Sequence, residues 1–137
     1  MTELDRGAST RFTLDSASDN VPLWSPDGTK IAFVSNRAGG VFDLYWKSAG
    51  GTGPEELLLK TPHNKLLNDW SPDGQYVLYQ EDDPQTKTDL WMLPLAGERK
   101  PVRLLATPFN ESEAALSPDG RWMAYTSDES GGRQVYV

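Results

Sequence analysis

Short apolar runs bounded by polar turn residues recur along the chain at nearly even intervals. One set, Lys30-Ile31-Ala32-Phe33-Val34, Tyr76-Val77-Leu78-Tyr79 and Trp122-Met123-Ala124-Tyr125-Thr126, is rich in β-branched and aromatic residues. Such runs are too short and too well bounded for helices, so they predict strands. A second set lies at Phe42 to Lys47, Asp89 to Leu93 and Gln134 to Val137, and a third at Arg11 to Leu14, Glu56 to Lys60 and Val102 to Ala106. The residues at Asn20 to Trp24, Leu66 to Trp70 and Glu113 to Leu116 supply a fourth. No stretch carries a helical period.

These runs share one internal period. Ser25-Pro26-Asp27-Gly28 recurs as Ser71-Pro72-Asp73-Gly74 and as Ser117-Pro118-Asp119-Gly120, 46 residues apart each time. Trp24 and Trp70 stand before the first two turns and Leu116 before the third. Asp43-Leu44-Tyr45 matches Asp89-Leu90-Trp91, with Gln134-Val135-Tyr136 one residue short. Four strands per 46 residues with no helix describes a β-propeller blade, so the expectation is an all-β chain of three blades, each of four antiparallel strands. The expected boundaries are an N-terminal arm at 1–19, blade 1 at 20–65, blade 2 at 66–111 and blade 3 at 112–137, the last lacking its outer strand. Ser-Pro-Asp-Gly is explained by turn chemistry: Ser accepts a backbone hydrogen bond, Pro fixes φ, Asp suits the third position and Gly takes positive φ. These twelve residues are therefore expected to be structural.

Trp24 followed by Ser-Pro-Asp-Gly, then Ile31-Ala32-Phe33, Ser35-Asn36-Arg37 with Gly39-Gly40, and Asp43-Leu44-Tyr45, resembles the WD-like β-propeller repeat of the TolB type. The resemblance runs through all three copies. Similar repeats occur in propeller domains of prolyl-oligopeptidase-like peptidases and in sensor regions of bacterial Ser/Thr kinases. It implies a non-catalytic module that binds a protein or peptide, at an extracytoplasmic site. An accessory propeller of a larger enzyme, a serine peptidase or a Ser/Thr kinase, is the alternative. Copies two and three depart from the pattern, with Glu81-Asp82-Asp83 and Ser127-Asp128-Glu129 in place of Ser35-Asn36-Arg37, so a pairing of Arg37 with Asp43 cannot hold throughout.

Propellers typically close with about 4 to 8 blades. Three blades are the expected half of a six-bladed ring, completed by a second copy or by the remaining blades of a longer chain. In the paired form, residues 11–14 of one chain act as a latch strand for the last blade of the other. In propellers the first strand of each blade lines the channel, which makes Asn20, Val21, Pro22, Leu67, Asn68, Asp69, Glu113 and Ala114 the candidate ligand surface. Trp24, Trp70, Tyr79, Trp91, Tyr125 and Tyr136 are expected to pack between blades, leaving Trp46 or Trp122 as an exposed partner contact.

Composition narrows the chemistry. The 137 residues carry a formal net charge of −7, which disfavours binding to a phosphate backbone. No Cys is present, which removes disulfides, thiolate metal sites and Cys nucleophiles. No apolar run approaches the ~18 residues of a membrane helix, and the first residues lack a signal-peptide pattern, so neither membrane insertion nor a leader is expected. The one histidine, His63, sits in a Pro-bounded loop with no Gly-x-Ser-x-Gly elbow in the chain, so no catalytic residue is expected. Asp19, Glu81, Asp82, Asp83, Glu111, Glu113, Asp128 and Glu129 could in principle offer oxygens to Ca²⁺, but none has EF-hand spacing, and neither a metal nor another cofactor is expected.

Overall fold

The structure is a computed structural model that describes residues 7–137; the first six residues of the expected arm lie outside the described part. Among the described residues eleven strands form three antiparallel sheets. Blade 1 holds β1 (Asp19–Trp24), β2 (Lys30–Ser35), β3 (Asp43–Ser48) and β4 (Glu56–Leu59), in that order across the sheet. Blade 2 repeats the order with β5 (Lys65–Trp70), β6 (Tyr76–Asp83), β7 (Lys87–Pro94) and β8 (Val102–Leu105). Blade 3 has β9 (Glu111–Leu116), β10 (Met123–Ser127) and β11 (Gln134–Tyr136). The chain is all-β, with three blade-like sheets of four, four and three strands.

Each Ser-Pro-Asp-Gly closes the hairpin between the first two strands of its blade. The Gly N–H donates to the Ser carbonyl at 2.9, 2.8 and 2.8 Å, and Gly28, Gly74 and Gly120 have φ of 72°, 74° and 70°. The Ser hydroxyl does more than the sequence suggests. It donates to the Asp carboxylate at 2.7, 2.7 and 2.6 Å and accepts the N–H of Lys30, Tyr76 or Trp122 at 2.9, 3.0 and 3.0 Å. The Asp also accepts the backbone N–H two residues on, from Thr29, Gln75 or Arg121. Each turn is thus a closed hydrogen-bond ring, and its Asp is occupied.

Sheets pack face to face to make the core. Between blades 1 and 2, Ala32, Val34, Leu44, Trp46 and Leu58 meet Leu67, Trp70, Val77, Tyr79 and Leu93. Trp46 stacks on Trp70 with centroids 6.3 Å apart. A smaller cluster of Leu78, Leu90 and Ala114 joins blades 2 and 3. Trp70 and Tyr79 are buried as expected, but Trp24 is 49% exposed, because no blade among the described residues covers that face of blade 1. Of the two tryptophans in question, Trp46 is buried and Trp122 is exposed.

Arg11 to Leu14 forms no strand. A strand needs a neighbour to pair with, and among the described residues this segment has none. It lies instead against blade 1, where Lys47 Nζ donates to the Phe12 carbonyl at 3.0 Å and Phe12 borders a cleft with Ile31 and Phe33.

One buried ion pair joins blade 1 to blade 2, and others brace the blades internally. Lys65 Nζ, at the start of blade 2, lies 2.9 Å from Asp43 Oδ1 in blade 1, and both side chains are fully buried. The Lys65 N–H reaches the Phe42 carbonyl at 3.0 Å, and Asp43 also accepts the Thr61 N–H at 3.2 Å. Arg37 therefore does not take Asp43; it pairs with Asp19 and Glu55 and lies over Tyr45. In blade 2 the partner of Asp89 is Arg103, which also reaches Asp83 at 3.5 Å and lies over Trp91.

Candidate functional site

The first strand of every blade carries one extra residue. Register slips between Asn20 and Leu23 in β1, between Leu67 and Asp69 in β5, and opposite Ala124 and Thr126 in β9. Bulges of this kind bend a strand and re-aim its side chains. In blades 1 and 3 the bulge takes a left-handed residue, Val21 at φ 53° and Glu113 at φ 56°. A β-branched residue in that region is strained by roughly 1–3 kcal/mol, and such strain concentrates at functional sites.

The bulges border a groove of about 470 Å³ that runs across the inner strands of all three blades. Val21, Leu67, Asn68 and Glu113 of the sequence-predicted surface line it, together with Leu66, Gln80, Thr88, Asn110, Ser112, Asp128 and Arg133. The other predicted residues do not. Asn20 and Pro22 border the cleft beside Phe12, and Ala114 is buried in the cluster between blades 2 and 3. Asp69 braces the backbone instead, its carboxylate accepting the N–H of Leu116 at 2.7 Å and of Trp70 at 2.8 Å.

Asn68 tethers as well as lines. Its Oδ1 accepts the Ala114 N–H at 3.3 Å and its Nδ2 donates to Gln80 Oε1 at 3.0 Å, while the same Gln80 oxygen accepts the Glu113 N–H at 3.1 Å. This lattice holds the two inner strands in one geometry and leaves the Glu113 side chain exposed at the groove. There Glu113 accepts from the Thr126 hydroxyl at 3.1 Å and pairs with Arg133 at 3.3 Å, both members of the ion pair being 65% exposed. Arg133 also donates to Ser112 Oγ at 3.2 Å. Asp128 accepts the backbone N–H and side-chain amide of Asn110 at 2.9 and 2.8 Å, and these bonds, the side-chain one foremost, hold its carboxyl below the usual range.

Gln80, Asn110, Ser112 and Arg133 are not among the sequence candidates: Gln80 lies on the second strand of blade 2, Asn110 just before β9, Ser112 inside β9 but ahead of the candidate run, and Arg133 in the turn between β10 and β11. A signal existed: position 80 corresponds to Val34 and Thr126 one blade away on either side, so polarity there is confined to blades 2 and 3.

The remaining candidates resolve into structural roles. His63 serves through its backbone, its carbonyl accepting from Lys65 Nζ and from the Thr61 hydroxyl. For Asp19, burial acts to raise the pKa, but hydrogen bonds from Ser35, Thr13 and Arg37 outweigh it and hold the group low. Asp83 accepts the N–H groups of Gln85 and Thr86 at 2.7 and 3.0 Å. Burial pushes the Glu81 carboxyl up despite the Thr61 hydroxyl bonded to it. Among the described residues no three His, Asp or Glu side chains are grouped to hold a metal ion. No described helix is long and apolar enough to cross a membrane.

No family model matches the sequence, and no curated protein sequence matches it. Solved structures do. A TolB-type protein from Agrobacterium tumefaciens superposes with a TM-score of 0.78 at 26% identity, over 88% of this chain and 43% of the other. TolB from Acinetobacter baumannii gives 0.74 at 27% identity, over 88% of this chain and 29% of the other. A prolyl endopeptidase matches at 0.68 and 15% identity, over 98% of this chain and 22% of the other, which shows shared fold alone. The chain thus spans less than half the length of these proteins. Repeat, sheet topology and these likenesses together make it a TolB-like β-propeller array of three blades.

Proposed function

We propose that the chain is a non-catalytic binding module whose inner-strand groove takes an extended peptide segment of a protein partner. The observation that carries this reading is the pair of left-handed bulge residues, Val21 and Glu113, on a groove rimmed by amide, hydroxyl and charged groups with Leu66 exposed among them. Amides and hydroxyls match the donors and acceptors of a peptide backbone, and the exposed Glu113–Arg133 pair can exchange its internal contact for charges on the ligand. Ser112 has no histidine beside it in the groove; its hydroxyl accepts from Arg133, an arrangement that supports binding rather than acyl transfer. The TolB likeness supports an extracytoplasmic setting, and a closed ring requires further blades.

The test is selection of a phage-displayed random peptide library against the chain. Enriched peptides are expected to lose at least about tenfold in affinity, ~1.4 kcal/mol, on the Glu113→Ala/Arg133→Ala variant. Peptides that bind that variant equally well, or no enrichment at all, would refute the assignment.

A further inference from the structure

Among the described residues blade 3 has three strands where blades 1 and 2 have four, and its outer strand β11 pairs only with β10. At the other end, the segment around Phe12 lies outside any sheet. The internal period relates the two. A shift of two repeats towards the N-terminus places Val102, Arg103 and Leu105 of β8 on Thr10, Arg11 and Thr13. In blade 2 the register is Leu90 opposite Leu105, Trp91 opposite Arg103 and Met92 opposite Val102. The blade 3 equivalents of Leu90, Trp91 and Met92 are Val135, Tyr136 and Val137.

We propose that a second copy of this chain fills the missing position: residues 10–13 of each copy add as the fourth strand of the other's blade 3, closing a two-fold ring of six blades. In this register Thr13 lies opposite Val135 and Arg11 opposite Tyr136. Three observations favour a second copy as the occupant. The first is charge. Arg103 bridges Asp83 and Asp89 and lies 5.2 Å over the Trp91 ring; in blade 3 the equivalent positions hold Glu129, Gln134 and Tyr136, so Arg11 finds one carboxylate, a side-chain amide oxygen and an aromatic face.

The second is placement. Phe12 already sits beside Ile31, Phe33 and Lys47, the equivalents of Val77, Tyr79 and Leu93 that surround Leu58 of β4. The arm thus occupies the place of a preceding blade's outer strand. Its Arg11 guanidinium is turned onto carbonyls of its own segment, at Thr13 and Asp15, contacts exposed to solvent that strand addition would replace.

The third is the end faces. Val135 and Val137 on the outgoing face of blade 3 are 74% and 84% exposed, and Val21 and Trp24 on the incoming face of blade 1 are 36% and 49% exposed. Their equivalents at the junction of blades 1 and 2, Leu44, Trp46, Leu67 and Trp70, are buried against one another. A two-fold axis matches each outgoing face with an incoming one, and the contact occurs twice.

The test is light scattering on a size-exclusion peak of the 137-residue chain at micromolar concentration. The expected mass is twice 15.2 kDa. Val135→Asp, a change at a residue exposed in the single chain, is expected to shift the peak to the monomer mass with the β circular dichroism retained. With no native cysteine in the way, Thr13→Cys combined with Val135→Cys is expected to give an intermolecular disulfide, since opposed strand residues fall in the ~4.4–6.8 Å Cα range such bonds require. The register-shifted pair Thr13→Cys with Gln134→Cys is expected not to cross-link. A monomer of 15.2 kDa would overturn the proposal and point to blades from a longer chain. So would an open ladder of species, or a dimer indifferent to Val135→Asp and to the cross-link register.

Discussion

Replacing Lys65 by Met tests how much of the fold hangs on one buried charge pair. Lys65 and Asp43 are both fully buried at 2.9 Å, and they join the first strand of blade 2 to the third strand of blade 1. Removing the ammonium leaves the Asp43 carboxylate in the interior with the Thr61 N–H as its remaining donor, while Oδ2 already has no hydrogen-bond partner. Breaking one side of a buried pair is worth about 3–5 kcal/mol. A domain of this class has only about 5–15 kcal/mol in total. At roughly 3–5 °C per kcal/mol for a chain of this length, the melting temperature is expected to fall by about 9–25 °C. The decisive comparison is Asp43→Asn/Lys65→Met. Asn keeps an acceptor for Thr61 and removes the stranded charge, so the double variant should recover most of the loss. Urea unfolding followed by tryptophan fluorescence measures both, and Trp46 and Trp70 sit at the same junction. A Lys65→Met variant within about 1 kcal/mol of the parent, or a double variant no better than the single, would refute the reasoning that uncompensated charge dominates.

The turns give two further expectations. Gly28→Ala, at φ 72° with open space around a new Cβ, is expected to lose about 1–2 kcal/mol from backbone strain alone, and Gly120→Ala about as much, since its Cβ would meet Pro72 Cδ at 3.4 Å only in ordinary van der Waals contact; a clearly larger loss at Gly120 in paired urea titrations would refute backbone strain as the common cause. Hydrogen bonds from Ser25 and Thr29 depress Asp27 to about 2, and Asp73 and Asp119 are lowered in the same way, first by Ser71 and Ser117. Because the folded values lie below the unfolded value of 3.8, the stability these groups contribute is present above that value and is lost as pH falls towards 2. Thermal melts between pH 4 and 2 should therefore show a shallower decline in an Asp27→Asn/Asp73→Asn/Asp119→Asn variant, and an unchanged slope would count against the turn rings as the source.

The strands were legible because their signals are local: a Pro-Asp-Gly turn, a β-branched run and a period repeated three times agree. Longer-range features were less so. Arg11 to Leu14 reads as a strand, yet a strand exists only beside a partner, and no described strand pairs with this segment. Asn68 and Asp69 read as channel residues because first strands line channels, but their side chains reach backbone N–H groups of β9 in the next blade, more than 40 residues away. Glu113 reached the groove surface while its repeat neighbour Ala114 was buried, a swap made by the left-handed bulge and invisible to strict alternation. The Asp43–Lys65 pair joins residues 22 apart, beyond any local pattern, although the period shows that positions 19, 65 and 111 carry Asp, Lys and Glu in turn.

That last alternation makes the blades non-interchangeable. Each junction is signed by the residue that leaves one blade and the residue that receives it in the next: Asp43 meets Lys65, whereas the corresponding positions one junction further on hold Asp89 and Glu111. Were blade 3 spliced directly after blade 1, Asp43 would face an acid instead of a base in a site that excludes water, and the array would resist the permutation. A tandem duplication begins as identical modules that can slip, recombine or dock out of turn; here the buried charges give each module an address, and with it a fixed place in the order.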